Sequence, residues 1–437
     1  MTVRRPAARD MPGGDPMSTR APGVRVVMDA RPLQDPAYAP VTAAYLEGLL
    51  GGLDASPLPG ESFAFLLASD LDDPTTRFDR LHVVGRRLLP PTRLLRSAAL
   101  AVDPFFLRGA SVGAGWRVEK GGAAGAVYHA AGGAIPLASG LPVVVTLLDL
   151  APWQLPKAYQ RSATTRFGQR LRAQLVREAA AVIVTSDAVG RSARQLLHVQ
   201  RDHLRTIPVA PRVAFRPGAA DAKGQRPGSG GAARAERERL GLPERYLAYA
   251  GRYDARQDLS TLLRALSLLA AAGRPSSLPD GQAWPPRVCL LGATPADRAS
   301  LARAAAREGV GDLLAYTPRL PVERAAALVA GARAALLPVV SEAVGLAAIE
   351  ALAAGVPVVA SAVGPMAELV GPAGILTEPG DPERLAAALA TAWADDAVHA
   401  RLVDAALARS ASLPTWREVA DRTRAVWAEV AGRGRLL

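Results

Sequence analysis

The chain has 437 residues, a formal net charge of +12 and a hydrophobic content of 49%. This length predicts two domains, and the single cysteine, Cys289, excludes a disulfide framework and favours a reducing compartment. No apolar run reaches the length of a membrane-spanning helix. Arginines are spread along the chain without a nucleic-acid-binding motif, so we expect no nucleic-acid partner.

The first half of the chain alternates short apolar strands with helices. We expect residues 1–22 to be a disordered leader, because they mix Arg, Pro, Gly and Asp without periodicity. Residues 23–217 are predicted to form one domain. Its strands are predicted at residues 24–30, 63–68, 81–84, 126–129, 142–150 and 181–185. This alternation indicates a parallel sheet that helices cover on both faces.

Two polar residues end predicted strands of this domain. His129 lies at the carboxyl end of one strand, where ligands bind open α/β sheets. We assign it either a contact with an acceptor or a local hydrogen bond. Asp149 ends the strand at 142–150, and it is assigned either to a cleft between the domains or to the cap of the following turn.

A strongly basic segment follows at residues 157–178. Its cations precede the first acidic residue, Glu178, and are Lys157, Arg161, Arg166, Arg170, Arg172 and Arg177. Leu171, Leu175 and Val176 form an apolar stripe on the same predicted helix. Such a helix can lie against an anionic membrane, or its charges can form an ordinary solvated face. Both interpretations remain open.

The second half of the chain begins after a segment rich in Gly, Pro and charge, residues 218–240, which predicts a flexible linker. Strands again alternate with helices over residues 241–411, so a second domain of the same class is expected. Residues 412–437 contain an amphipathic stretch, 416–430, and are predicted to form a C-terminal helix.

The stretch most informative for function is residues 338–380. An apolar helix is predicted from Gly345 to about residue 354, and a loop that meets its start leaves N–H groups free for an anion such as a diphosphate. Glu342 and Glu350 stand eight residues apart, at most roughly 12 Å along a helix. That distance suits a sugar and a ribose on either side of a diphosphate. Alternatively, Glu342 is a helix-start carboxylate and Glu350 a solvated residue.

Residues 342–360 resemble the donor-nucleotide motif of glycosyltransferase family 4, which contains retaining sugar transferases of the GT-B fold. The family pattern is E-G-F-G-L-x-x-x-E-A-M-A-x-G-x-P-V-V-A, and the chain reads EAVGLAAIEALAAGVPVVA. The resemblance implies two Rossmann-like, doubly wound α/β domains that face a central cleft, with the C-terminal helix returning to the first domain. Residues 29–33 resemble the opening of a bacterial mannosyltransferase-like subgroup.

The resemblance also implies roles for single residues. Glu342 contacts the donor sugar and Glu350 the ribose, while Val344, Gly345 and Leu346 lie at the donor phosphate. Arg252 matches the arginine that grips the donor phosphates, and Arg319 matches a loop near the base. The predicted catalytic set is Glu342, Arg252 and Asp149.

Three family features are replaced in this chain. Residues 40–45 stand in place of a Gly-rich turn, Leu148 in place of a cleft histidine, and Gln257 in place of a phosphate-binding lysine. Two functions therefore remain open. One is an active hexosyltransferase, with mannose suggested by the subgroup, that uses a nucleotide-diphosphate sugar and a glycan or lipid-linked acceptor. The other is a weak or inactive homologue that acts as a partner or regulatory subunit.

The resemblance implies no cofactor other than the donor substrate. The five histidines are scattered and only one cysteine is present, so no metal site is expected. In the family, cationic side chains and helix dipoles stabilise the leaving diphosphate. The protein is expected in the cytoplasm, with peripheral contact at the inner face of the cell membrane as one interpretation of the basic segment.

Overall fold

The structure is a computed structural model that describes residues 23–92, 99–107, 125–216, 231–276 and 278–433. The predicted leader, residues 1–22, lies outside the described residues, as does the part of the predicted linker at 218–230. The described strands, in chain order, are β1 Arg25–Asp29, β2 Ser62–Ala68, β3 Val83–Leu89, β4 Ala126–Ala131, β5 Val143–Thr146, β6 Ala181–Val184, β7 Leu204–Thr206, β8 Leu247–Tyr249, β9 Val288–Leu290, β10 Leu314–Tyr316, β11 Ala334–Leu337, β12 Val358–Ser361 and β13 Gly374–Thr377.

The described helices lie between and after these strands. In chain order they are α1 Arg31–Gln34, α2 Pro40–Ala55, α3 Ala99–Phe106, α4 Ala151–Gln154, α5 Pro156–Tyr159, α6 Ala163–Arg177, α7 Asp187–Leu197, α8 Gly231–Arg239, α9 Leu259–Ala272, α10 Pro295–Arg307, α11 Val322–Ala330, α12 Leu346–Ala353, α13 Met366–Val370, α14 Pro382–Ala394, α15 Asp396–Ser412 and α16 Trp416–Arg433.

The strands form two parallel sheets, one in each half of the chain. The first has the order β3-β2-β1-β4-β5-β6-β7 and the second the order β10-β9-β8-β11-β12-β13. In both sheets the order reverses beside the first strand, which is the arrangement of a doubly wound fold with a ligand crevice at the switch point. The predicted α/β class with two Rossmann-like domains is therefore confirmed.

Helices cover both faces of the first sheet. Met28 of β1 packs in one apolar cluster with Leu49 of α2 and Trp427 of α16. The neighbouring Val27 packs in a second cluster with Val176 of α6. Adjacent residues of one strand thus face opposite helix layers, as the alternation of side chains along a strand requires. The C-terminal helix α16 lies against α2 and the first sheet.

Four local features differ from the sequence prediction. The strand expected at residues 142–150 is limited to Val143–Thr146, so Asp149 lies in the segment after it. The strand expected at residues 81–84 runs over Val83–Leu89 instead, because β3 is an edge strand whose alternating residues are exposed. The strand expected to end at 129 continues to Ala131, so His129 is interior to it. Residues 231–239 of the predicted linker form α8, where Glu236 is buried and pairs with Arg239 and Arg324.

Candidate active site

Loops at the carboxyl ends of the two sheets meet between the domains. Ser341, after β11, donates its hydroxyl to Gln154 of α4 at 2.5 Å. The Thr185 hydroxyl, after β6, bonds the carbonyl of Ala343. These bonds place residues 341–345, here called the site loop, against the first domain. Since the carboxyl ends of parallel strands are where α/β folds bind ligands, this junction is the candidate site.

Glu342 organises the site loop through its carboxylate. Its Oε1 accepts N–H groups from Ala343, Val344 and Gly345 at 3.0, 2.9 and 3.0 Å. Within the described residues no protein donor contacts Oε2. One oxygen thus fixes the loop while the other is available to accept a hydroxyl. The sequence left open whether Glu342 is a helix-start carboxylate or a ligand, and this geometry permits both.

The helix that follows the site loop has a free amino end. Gly345 has φ of +70° and precedes α12, and the N–H groups of Leu346 and Ala347 have no acceptor in the described chain. These two residues are half-buried. Together with the positive end of the helix dipole, the two groups can accept an anion. The N–H groups of residues 343–345 already donate to Glu342. The anion site predicted for this loop would therefore use the N–H groups of Leu346 and Ala347.

Gly345 and Val344 have packing roles as well. A Cβ added at Gly345 would lie 2.4 Å from Cδ1 of Leu369 on α13. Val344 is buried in the apolar cluster that contains Met366 and Leu369. The left-handed backbone and this close approach together explain the glycine. The donor contact predicted for Gly345 stays a prediction. Val344 offers no exposed side chain to a donor.

Glu350 is buried and paired rather than solvated. Arg212, from the segment after β7, donates from Nε and Nη2 to the two carboxylate oxygens at 2.5 and 2.9 Å. Burial raises the pKa of the Glu350 carboxyl, and the pair with Arg212 acts in the opposite direction. Arg212 itself stacks over Phe215. Motif reasoning did not find Arg212; a basic residue facing the second motif glutamate from the other domain cannot be recognised by spacing.

A second charged group lies across the junction. Arg252 pairs with Asp254 at 3.0 Å, while Arg256 pairs with Asp254 at 2.7 Å and with Asp149 of the first domain at 2.9 Å. Burial acts to raise the pKa of Asp254, but hydrogen bonds from Arg256 outweigh it and hold that pKa below its usual value. Asp149 also accepts the N–H of Ala151 at 2.9 Å, so it is both a cap and a cleft residue.

Arg256 was not among the predicted site residues, because the family pattern drew attention to the adjacent Gln257. The structure directs Arg256 into the junction, over the ring of Tyr159. Gln257 instead pairs through its backbone with Val339, and its buried Oε1 has no partner. The second cation near Arg252 is therefore Arg256, one residue before the position where the family carries lysine.

His129 does not reach the junction. It is fully buried, its Nε2 lies 2.8 Å from the Thr146 hydroxyl, and its ring packs edge-on against Trp427. Burial lowers its pKa to about 3. The structure therefore gives His129 the local hydrogen bond, and it contradicts the acceptor contact. Leu148 is likewise buried in the apolar core.

Arg319 lies at the rim of the junction. Its side chain is exposed, and its Nη2 donates to the carbonyl of Pro36 in the first domain at 3.3 Å. It is thus near the interface, and nothing in its contacts assigns it to a base. The part of the chain that the structure describes holds no cluster of three potential metal ligands, and none of its helices is long and apolar enough to cross a membrane.

Three similarities to known proteins bear on this arrangement. Residues 244–395 match the family model described as Glycosyl transferases group 1. The chain is 36% identical over 218 residues to a D-inositol 3-phosphate glycosyltransferase of Streptomyces griseus, covering 49% of this chain and 46% of the relative. It is 35% identical over 128 residues to an MMP alpha-(1->4)-mannosyltransferase of Mycolicibacterium hassiacum, covering 29% of this chain and 31% of the relative.

Among solved structures, the chain is similar to sucrose-phosphate synthase from Thermosynechococcus elongatus, with a TM-score of 0.67, 20% identity and coverage of 93% of this chain and 98% of the other. The predicted GT-B fold is thereby confirmed, and so is the resemblance to glycosyltransferases of this group. The chain spans less than half the length of the two curated relatives, at 46% and 31%.

Proposed function

We propose that this protein is a retaining glycosyltransferase that moves a hexose from a nucleotide-diphosphate sugar to a glycan or lipid-linked acceptor. The observation that carries the proposal is the site loop with α12. Among the described residues, one Glu342 oxygen has no donor and two N–H groups have no acceptor. The loop reaches the paired cations through Val340, whose N–H bonds the Arg256 carbonyl at 2.8 Å, and Arg252 shares Asp254 with Arg256. A sugar hydroxyl and a diphosphate are the chemical groups that such a set would bind together.

In the proposed reaction, the bond from the anomeric carbon to the diphosphate breaks and a bond to the acceptor oxygen forms on the same face. The acceptor hydroxyl proton passes to the departing diphosphate. The N–H groups of Leu346 and Ala347, with Arg252 and Arg256, would stabilise the charge on the leaving group. Glu342 would hold the sugar through Oε2. The reaction requires no metal in this scheme.

Two finer assignments belong to the same proposal. Glu350 would contact the ribose only if Arg212 shares or releases its carboxylate, because both oxygens are engaged. Mannose is the favoured hexose, supported by the mannosyltransferase relative and by the subgroup-like residues 29–33. The proposed location is the cytoplasm, with peripheral contact at the inner face of the cell membrane through basic α6.

A transfer assay tests the proposal. The purified chain is incubated without added metal with UDP- and GDP-hexoses and with bacterial lipid extract as acceptor, and nucleoside diphosphate release is measured. We expect release from one donor and an acceptor product with retained anomeric configuration by NMR. Glu342→Gln should lower kcat by about 100-fold, whereas the exposed Glu383→Gln, on α14, should not.

The second candidate function, an inactive homologue that serves as a partner subunit, is favoured by the apolar Leu148 and the engaged Glu350. It predicts no release from any donor by the folded wild-type chain. That result would contradict the transferase proposal and leave the partner role standing.

A further inference from the structure

Exposed phenylalanines gather on one rim of the first domain. The chain has seven phenylalanines. Four are buried in the core, and three are 50%, 40% and 55% exposed: Phe105, Phe106 and Phe167. All three exposed rings lie on α3 and α6, which pack against each other. We call this surface, α3 together with the amino-terminal half of α6, the aromatic rim.

Exposed cations accompany the rim without carboxylate partners among the described residues; Arg166 donates only to the Arg161 carbonyl, at 3.5 Å. Lys157, Arg161, Arg166 and Arg170 are exposed, and none of them has a carboxylate partner in the described part of the chain. The first acidic residue after them is Glu178, near the far end of α6. Exposed aromatic rings beside unpaired cations match the interface of an anionic bilayer, where rings enter the headgroup layer and cations contact the phosphates.

The rim lies at the same end of the sheet as the candidate site. Asp103 of α3 pairs at 3.0 Å with Arg31, which directly follows β1, and the Pro104 carbonyl accepts the N–H of Leu137 after β4. α6 begins after α4 and α5, and Gln154 of α4 contacts Ser341 of the site loop. Both helices therefore present their rings beside the carboxyl ends of the strands, close to the junction of the domains.

We propose that the aromatic rim docks the protein on anionic lipid bilayers, so that the domain junction opens at the membrane surface. The acceptor is then the lipid-linked class rather than a free glycan. The assignment of a lipid-linked acceptor rests on the proposed transferase function, whereas the docking on a bilayer does not. Phe105, Phe106 and Phe167 are the inserting residues, and the cations supply attraction to the charged headgroups.

Vesicle flotation tests the docking. The full chain is mixed with vesicles of phosphatidylcholine alone or with added phosphatidylglycerol. We expect flotation only with phosphatidylglycerol, weakened by salt. The triple variant F105S/F106S/F167S should reduce binding about 100-fold, since three apolar rings no longer enter the bilayer. The variant R161Q/R166Q/R170Q should remove the preference for phosphatidylglycerol.

Two matched controls address general surface effects. Leu268→Ser removes an exposed apolar side chain from α9 of the second domain, and R303Q/R307Q removes exposed cations from α10; both should float like wild type. Circular dichroism and nucleotide binding must be unchanged in the rim variant. Failure of the wild type to float, equal flotation of the phenylalanine variant, or a rim variant that only converts a dimer to a monomer would each overturn the docking. Absence of nucleotide binding by the folded wild-type protein would instead contradict the transferase proposal.

Discussion

At the scale of single residues, the pair of Arg212 and Glu350 combines a buried carboxylate with a half-exposed cation. Removing the cation leaves the carboxylate without its partner, which is costly even where the pair itself adds little net stability. We expect Arg212→Met to lower the free energy of unfolding by about 2 kcal/mol, reduced from the fully buried case because Arg212 is partly exposed.

Chemical denaturation of a double-mutant cycle measures this effect. The double variant Arg212→Met/Glu350→Leu should lose less unfolding free energy than the single variant Arg212→Met, because no buried charge remains. Arg234→Met breaks an exposed pair with Glu238 on α8 and should change stability little. Equal losses in the single and double variants would contradict a buried, ionised Glu350.

His129 gives the fold a calculable pH dependence. Its folded pKa is about 3, because burial disfavours the charged ring, against an ordinary value of 6.5. As the pH falls below the ordinary value, the unfolded chain binds a proton and the folded chain does not. The stability contributed by a neutral His129 is therefore fully present above the ordinary pKa of 6.5. It is lost at about 1.4 kcal/mol per pH unit as the pH falls from 6.5 toward the folded pKa of about 3.

Urea unfolding at about pH 7 and about pH 5 tests this contribution. Relative to His129→Asn, the wild type should lose about 2 kcal/mol of unfolding free energy between these conditions. The matched control is His198→Asn, at an exposed position whose φ of 56° asparagine tolerates. A pH-independent difference between wild type and His129→Asn would show that the ring is charged or accessible when folded.

At the scale of elements, the site loop packs closely against Gly364, which follows β12. This glycine has φ of +54°, and a Cβ there would lie 2.1 Å from the backbone oxygen of Glu342. Gly380 also has positive φ, +76°, but a Cβ would meet nothing within 4 Å. Alanine at Gly380 therefore adds backbone strain alone, whereas alanine at Gly364 adds the same strain and a clash with the loop.

We expect Gly380→Ala to lower the free energy of unfolding by about 1 kcal/mol, the conformational cost of alanine at positive φ. Gly364→Ala should lower it by about 2 kcal/mol more than that, because its Cβ also clashes with the loop. Nucleotide affinity should fall only in Gly364→Ala, since the loop must move. Thermal unfolding and calorimetry measure both quantities. Equal effects of the two substitutions would contradict a role for this contact in placing Glu342.

The elements were largely predictable from sequence, whereas the partners of the site residues were not. Continuous apolar runs marked β1, β6 and β12, because strands buried on both faces have continuous hydrophobic sequences. The edge strand β3 was misplaced because the adjacent Arg86 and Arg87 interrupt its apolar sequence. Arg212 was not predicted because its partner, Glu350, is more than a hundred residues away in sequence, a distance over which residue spacing carries no information. Arg256 was passed over because the family pattern points to the adjacent Gln257, and its partner Asp149 in the first domain is equally distant in sequence.

At the scale of the whole molecule, side chains of one domain satisfy backbone groups of the other. The Glu368 carboxylate on α13 accepts the N–H groups of Asp187 and Ala188 at 3.1 and 2.8 Å, at the amino end of α7, and contacts Arg191 at 3.3 Å. A carboxylate at a helix amino end is favoured by unpaired donors and by the dipole. Glu368 therefore joins the two domains in the arrangement of this structure.

Removing this contact should open the junction. We expect Glu368→Ala to increase the radius of gyration measured by small-angle X-ray scattering in the absence of nucleotide. The control Glu383→Ala removes an exposed carboxylate from the first turn of α14 and should leave the radius unchanged. An unchanged radius in Glu368→Ala, with the fold intact, would mean that the other interdomain bonds suffice.

We expect the junction of the domains to bind a nucleoside diphosphate without a metal. Calorimetric titration of the wild type with UDP and GDP, in the presence of a chelator, tests it most directly. We expect micromolar binding of one nucleotide. Binding should be lost in Arg252→Gln and retained in Arg384→Gln, which changes an exposed arginine of α14. No measurable binding of either nucleotide by the folded wild-type chain would contradict it.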